Sequence, residues 1–311
     1  MDKLAIALKK ARSVALISHI SPDGDTLGSV MALKLALEKL GKHAFVLPNG
    51  ALQPELCVLP HKDELCGEPP FEFDTAFAVD CADEGRLGDS IKYFNAANTR
   101  LVLDHHGTNT GFGDIFYIDP NAAATGELAF RLIKLLGAEP DRAIAECLYI
   151  AIATDTGNFR FSSVTPDTFY CAAELLKYGV DIAGLSSALF SDVSAAKMKL
   201  RALCVNKTQF YCGGSLGVAL LDKSDYAPLG VDDSDFEGIV NCIRDIKTVE
   251  LALLFRQTKS GLYKLSARSK TRADCAKLCA LFGGGGHIRA AGATVSPSDA
   301  QKLIETAKTL I

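Results

Sequence analysis

A chain of 311 residues that is 48% hydrophobic and 23% charged holds enough apolar material for two globular cores, which excludes a disordered chain or a single small module. Its formal net charge of −4 argues against a protein that coats long duplex nucleic acid through a broad basic surface, but a short anionic ligand could still be gripped by a few positive groups. No run approaches the roughly 20 apolar residues that a membrane span needs. Ten cysteines without a CxxC pair, behind an amphipathic opening MDKLAIALKKARS that lacks a cleavage-site pattern, lead us to expect free thiols in a reducing cytoplasm.

The first half alternates short apolar runs with helical periodicity, the pattern of a parallel sheet covered by helices on both faces. Strands are expected at 13–18, 44–47, 75–80 and 100–104, with helices at 27–40, 122–136, 142–153 and 166–178. From 186 to 209 the sequence reads as a helical connector. It joins this α/β domain, 1–185, to a smaller α+β domain, 210–311. The second domain offers strands at 215–221, 249–257 and 262–269 and helices at 234–244, 273–282 and 298–310. The TKSG stretch at 258–261 reads as a hairpin turn.

In an open α/β sheet the ligand crevice lies beyond the carboxyl ends of the strands. His19, Asp23 and Asp25 follow the first strand in SHISPDGDT, Asp80 ends the third in AVDCAD, and Asp104, His105 and His106 end the fourth in LDHHGTN. A later segment, ATDTGNFRF, adds Asp155. Taken singly, each has a purely structural reading: Pro-Asp-Gly is a turn, Asp25, Thr26 or Asp80 could cap a helix, DHH could be a hydrogen-bonded turn, and Asp155 could end a helix. Taken together they bring several carboxylates to one rim, where they would repel one another unless a cation neutralised them. Oxygen ligands with some imidazole and no thiolate favour Mn2+, with Mg2+ or Co2+ as substitutes. The side chains outnumber what one octahedral ion takes, which points to a pair of ions about 3.5 to 4 Å apart.

These four segments, in order and spacing, resemble the motifs of the DHH phosphoesterase superfamily. The distal SARSKTRADCAKLCALFGGGGHIRAAGA resembles its DHH-associated substrate-binding domain. Length and domain pair are most similar to the stand-alone nanoRNase and pAp phosphatase group, often called NrnA-like. The resemblance implies that His19, Asp23 and Asp80 hold one metal, and that Asp25, Asp80, His105 and Asp155 hold the other. His106 would then face the scissile phosphate and Asp104 would orient its neighbours. Arg268, His287, Gly285, Gly286, Ser266 and Arg289 would contact substrate.

The implied enzyme is a Mn2+-dependent phosphodiesterase and phosphatase that uses water activated by two metal ions. It would cleave short oligoribonucleotides to mononucleotides and 3′-phosphoadenosine 5′-phosphate to AMP, as a monomer or homodimer. Within the enzyme class the rival is a cyclic dinucleotide phosphodiesterase, whose motifs look alike. Outside it, a sensory module that had lost the chemistry would lack one or more ligands, and all are present. A dinucleotide-binding Rossmann protein would need GxGxxG after the first strand, and a P-loop NTPase would need GxxxxGK; neither occurs.

Overall fold

The apolar runs of the first half lack polar alternation and become strands covered on both faces, as a parallel sheet requires. The computed structural model describes all residues, 1–311, as two units, Met1–Asp192 and Val193–Ile311. The first unit contains α1 (Asp2–Lys10), β1 (Ser13–Ile20), α2 (Gly24–Lys39), β2 (His43–Asn49), β3 (Thr75–Val79), α3 (Ile91–Ala96), β4 (Thr99–Asp104) and β5 (Ile115–Ile118). Helices α4 (Thr125–Leu136), α5 (Arg142–Asp155), α6 (Pro166–Leu176) and α7 (Ile182–Phe190) complete it.

All five strands run parallel in the order β2-β1-β3-β4-β5, and Leu16 of β1 lies opposite both Val46 and Phe77. One face buries Leu16, Val46, Phe77 and Leu103 in a core shared with residues of α1, α2, α4 and α5. The other buries Ala15, Ile17, Phe45 and Val102 with Phe94 of α3 and Leu87. The expected α/β domain with helices on both faces is therefore present. Strand β5 was not legible in the sequence, because its four residues are at most half-buried and Phe116 is 51% exposed. No helix is long and apolar enough to cross a membrane.

The second unit contains α8 (Ala195–Asn206), β6 (Gln209–Tyr211), β7 (Leu216–Leu221), α9 (Lys223–Tyr226), α10 (Asn241–Arg244), β8 (Leu251–Gln257) and β9 (Tyr263–Ser269). It continues with α11 (Cys275–Ala280), β10 (Gly285–His287), β11 (Ala290–Val295) and α12 (Pro297–Lys308). Its sheet has the order β10-β11-β9-β8-β7-β6, parallel between β7 and β8 and antiparallel elsewhere. The predicted hairpin is present, with Gly261 at φ +82° closing the turn between β8 and β9.

Two sequence expectations differ from the structure. Residues 186–209 do not form a separate connector: Phe190 ends α7 in the first unit, whereas α8 sends Leu200 and Cys204 into the core of the second. The helix expected at 234–244 breaks into a 3-10 turn, Ser234–Phe236, and the short α10, because Gly238 sits at φ +74°. The GGGGH stretch ends in a short strand: Gly285–His287 form β10 at the edge of the sheet, paired with β11, and a Cβ on Gly286 would lie 2.6 Å from the Ala290 carbonyl oxygen.

A buried carboxylate ties the second unit together. The Oε1 of Glu250 accepts the backbone N–H groups of Thr271 (2.9 Å), Arg272 and Ala273 (3.1 Å), and Oε2 accepts the Thr271 hydroxyl at 2.9 Å. Burial opposes the charge, but these donors outweigh it and hold the Glu250 pKa at about 2. A depressed carboxylate contributes stability that is present above its unfolded pKa, near 4.5, and is lost as pH falls towards about 2. Glu250→Gln is expected to cost about 2 kcal/mol at pH 7. In urea melts from pH 7 to 2 the gap between wild type and variant should close below about pH 4. A gap independent of pH would show that the charge is not what the loop needs.

Candidate metal centre

The site is built at the carboxyl ends of β1, β3 and β4, together with the starts of α2 and α4 and the end of α5. Asp23 caps α2: its Oδ1 accepts the N–H groups of Asp25 (3.1 Å) and Thr26 (3.2 Å). The cap reading and the ligand reading therefore coincide in one residue. Asp155 is the last residue of α5, as its structural reading had it, yet it reaches the same rim. Asp80 adopts φ +61° directly after β3, a left-handed turn uncommon outside glycine, which aims its carboxylate into the crevice.

The two oxygens of Asp80 face different sets of groups. Its Oδ2 lies 3.5 Å from His19 Nε2, which is itself 3.6 Å from Asp23 Oδ1. Its Oδ1 lies 3.7 Å from His105 Nε2, which is 3.8 Å from Asp25 Oδ2 and 3.5 Å from Asp155 Oδ2. These separations are too long for hydrogen bonds but suit donors arranged around a cation. His19, Asp23 and Asp80 form one cluster of candidate ligand atoms within 4.8 Å of one another, and Asp25, His105 and Asp155 form another.

The imidazoles are oriented by backbone. Nδ1–H of His19 donates to the Ile20 carbonyl at 2.8 Å, and Nδ1–H of His105 to the Ala122 carbonyl at 3.1 Å. A carbonyl only accepts, so each Nδ1 carries a proton and each Nε2 faces the carboxylates, where its lone pair would be available to a bound cation.

The electrostatics of the metal-free site are frustrated in the way a dication relieves. Burial, followed by repulsion from Asp80 and Asp155, pushes the Asp25 carboxyl well above the ordinary range. Burial, joined by repulsion from Asp80 and Asp23, outweighs the attraction of His105 and His106 and raises Asp155 to about 6. Burial disfavours the charged form of His19, but the carboxylates of Asp23 and Asp80 outweigh it and raise the pKa to about 9. In return His19 keeps Asp23 below the usual carboxylate range despite its burial. The donor set of carboxylates and imidazoles fits a pair of hard or borderline divalent ions. Cys81, beside Asp80, is fully buried in the apolar core, and burial raises its thiol pKa far above neutrality, so it packs rather than reacts.

His106 is placed differently from the other two histidines. Its Nδ1 is 2.8 Å from Asp104 Oδ1, while Asp104 Oδ2 accepts from the Asn109 amide at 2.6 Å. The bond to Asp104 is the main reason that the His106 pKa is raised. Burial opposes the charge on Asp104, but His106 and Asn109 outweigh it and keep that carboxylate low. Asp104 is fully buried and occupied by these two partners.

Sequence reasoning assigned nothing to Asn109, although it lies within the LDHHGTN motif. It also missed Thr125, whose hydroxyl donates to Asp80 Oδ1 at 2.8 Å. The only available signal for Thr125 was its position near the expected start of a helix.

In the second unit, Ser266 and Arg268 of β9 line a cleft of about 330 Å³ with Lys264, Arg256, Phe236 and Glu237. Arg268 has no carboxylate within ion-pair distance, and its Nη1–H donates only to the Ala267 carbonyl at 2.9 Å. Burial, with help from the nearby Arg244, lowers its pKa. Arg256, unassigned from sequence, is 6% exposed, pairs with Asp233 at 2.7 Å and lies 4.4 Å over the Phe236 ring. His287 is exposed on β10, which also carries Gly285, where a Cβ would meet nothing, and Gly286, where it would clash with β11. Arg289, also expected to contact substrate, is exposed and engaged within the second unit. Its guanidinium donates to the carbonyls of Ala273 (2.9 Å) and Thr271, so it braces the loop that Glu250 holds from the other side.

The fold and the paired acidic and histidine clusters define a phosphoesterase of the two-domain, metal-dependent class. Residues 13–152 match the DHH family, N-terminal domain, and residues 216–311 match the DHHA1 domain. The chain is 34% identical over 297 residues to the bifunctional oligoribonuclease and PAP phosphatase NrnA of Thermus thermophilus, covering 94% of this chain and 87% of that one. It is 30% identical over 316 residues to a probable bifunctional oligoribonuclease and PAP phosphatase NrnA of Streptococcus mutans, covering 99% and 98%. Among solved structures, an exopolyphosphatase-related protein from Bacteroides fragilis superposes with a TM-score of 0.91 at 26% identity, covering 99% of this chain and 95% of that chain. The chain therefore belongs to the DHH family, in its NrnA-like group.

Proposed function

We propose that this chain hydrolyses short oligoribonucleotides to mononucleotides, and 3′-phosphoadenosine 5′-phosphate to AMP and phosphate, with Mn2+ as the working metal. The observation that carries this reading is the placement of Asp80, one oxygen towards His19 and the other towards His105. His19, Asp23 and Asp80 would hold one ion; Asp25, Asp80, His105 and Asp155 would hold the other. The mixture of imidazole and carboxylate favours Mn2+ over Mg2+. When bound, the ions would supply Lewis-acid activation of water and neutralisation of phosphoryl charge.

The chain's own groups do the rest. His106, kept protonated on Nδ1 by Asp104, presents Nε2–H to a phosphoryl oxygen as charge grows on it. In the second unit, Arg268, free of any acidic partner, suits a phosphate, and Ser266 and His287 offer further donors. A few cationic groups on a chain of net charge −4 suit a short oligonucleotide better than a long one. Ten free thiols fit a reducing cytoplasm as the place of action.

The test is a panel of pApA, longer RNA, 3′-phosphoadenosine 5′-phosphate and cyclic di-AMP, each with the protein in Mn2+, in EDTA, and in EDTA followed by excess Mn2+. Turnover is expected for pApA and 3′-phosphoadenosine 5′-phosphate, falling as RNA lengthens, lost in EDTA and restored by the metal. Turnover of the cyclic compound alone would overturn the substrate assignment.

A further inference from the structure

We propose that the first turn of α4 is the frame of the metal cradle, and that Thr125 is the positioning residue that lets two ions share Asp80. This rests on the two-ion reading above. Three groups of the cradle are fixed from one short segment. The Ala122 carbonyl accepts Nδ1–H of His105 at 3.1 Å, the N–H groups of Thr125 and Gly126 donate to Asp25 Oδ2 and Oδ1 at 2.7 and 2.9 Å, and the Thr125 hydroxyl donates to Asp80 Oδ1 at 2.8 Å.

That last bond is the only hydrogen bond the Asp80 carboxylate accepts. The side chain sits on a residue in a left-handed turn and is 3% exposed. Rotation of the carboxylate about its Cβ–Cγ bond decides whether its two oxygens face the His19 set and the His105 set or are both turned to one side. The Thr125 hydroxyl is the group that sets this rotation. The geometry also separates the two contributions of Thr125. Its backbone N–H serves Asp25 whatever the side chain, so removing the hydroxyl releases Asp80 alone.

Thr125→Val keeps the shape and removes the donor, Thr125→Ser keeps the donor, and Thr125→Ala repeats the removal with a smaller side chain. Metal-free wild type and variants are titrated with Mn2+ and followed by low-temperature EPR, which separates the signal of isolated ions from that of a spin-coupled pair. Melting of the metal-free proteins is measured alongside. In wild type the coupled signal is expected to dominate at two equivalents. In Thr125→Val and Thr125→Ala, isolated-ion signal is expected to persist, with about tenfold more Mn2+ needed for the coupled signal, the size typical of losing a hydrogen-bond partner of a ligand. Thr125→Val and Thr125→Ala should still unfold in one cooperative transition, with a lower midpoint from the loss of one buried hydrogen bond, and Thr125→Ser should melt and titrate as wild type.

A Thr125→Val protein that couples its ions as wild type does overturns the proposal. So does a Thr125→Ser protein that behaves like Thr125→Val. Wild type that never gives a coupled signal overturns the two-ion reading itself, an outcome distinct from failure of the Thr125 assignment.

Discussion

Asp80→Ala is expected to lower kcat/KM for pApA by at least about 1,000-fold, because on the two-ion reading the lost carboxylate would serve both ions, its oxygens lying near His19 on one side and His105 on the other. The loss should persist in excess Mn2+, since no neighbouring oxygen of the cradle faces both histidines. A circular dichroism melt of the variant separates this from misfolding: Asp80 lies just outside the β3–β4 ladder, and its side chain contributes one hydrogen bond to the fold. Retention of a tenth or more of the wild-type activity in Asp80→Ala would reject a two-ion mechanism for this chain.

The second large effect concerns His106. Its Nδ1 is engaged by Asp104, so its exchange for alanine should leave Mn2+ affinity intact and lower kcat by about 100- to 1,000-fold, the scale of losing one donor to a developing oxyanion. KM should change much less than kcat, because the donor acts most strongly as negative charge accumulates. Mn2+ titration of the variant next to a steady-state assay decides the matter. A parallel fall in metal affinity would make His106 a ligand instead of an oxyanion donor.

The catalytic half of the molecule was largely legible because parallel strands announce themselves. Runs such as VALIS and TAFAV are apolar on both faces, and the residues that follow them must lie in the crevice. Asp23, Asp80 and Asp104 to His106 could be read from that rule alone. Asp155 could not, since it ends a helix instead of a strand. Strand β5 was hidden because half-buried residues carry no clear burial period.

The second unit was less legible for a backbone reason. Two of the four consecutive glycines, Gly284 and Gly286, let β11 approach more closely than a Cβ would allow, a packing role that a run of glycines does not announce. Arg289 shows a similar limit. An arginine beside such a segment looks available to an anion, and only the carbonyls of Thr271 and Ala273 reveal that it is already committed. Thr125 was invisible because its importance comes from a contact with a residue 45 positions away in the chain.

Gly24 and Gly28 of α2 and Gly126 of α4 all rest on α5, where a Cβ on any of them would overlap Thr154, the Cys147 carbonyl or Ala151. Asp25, Thr125 and Asp155 ride on those same three helices. The distance between the acidic groups of the cradle is thus set by how closely the helices touch, several residues away from any ligand. A single methyl at Gly28 or Gly126 would act as a spacer, widening the gap that the ions must fill while every ligand kept its identity. The caliper of the centre is a set of missing side chains.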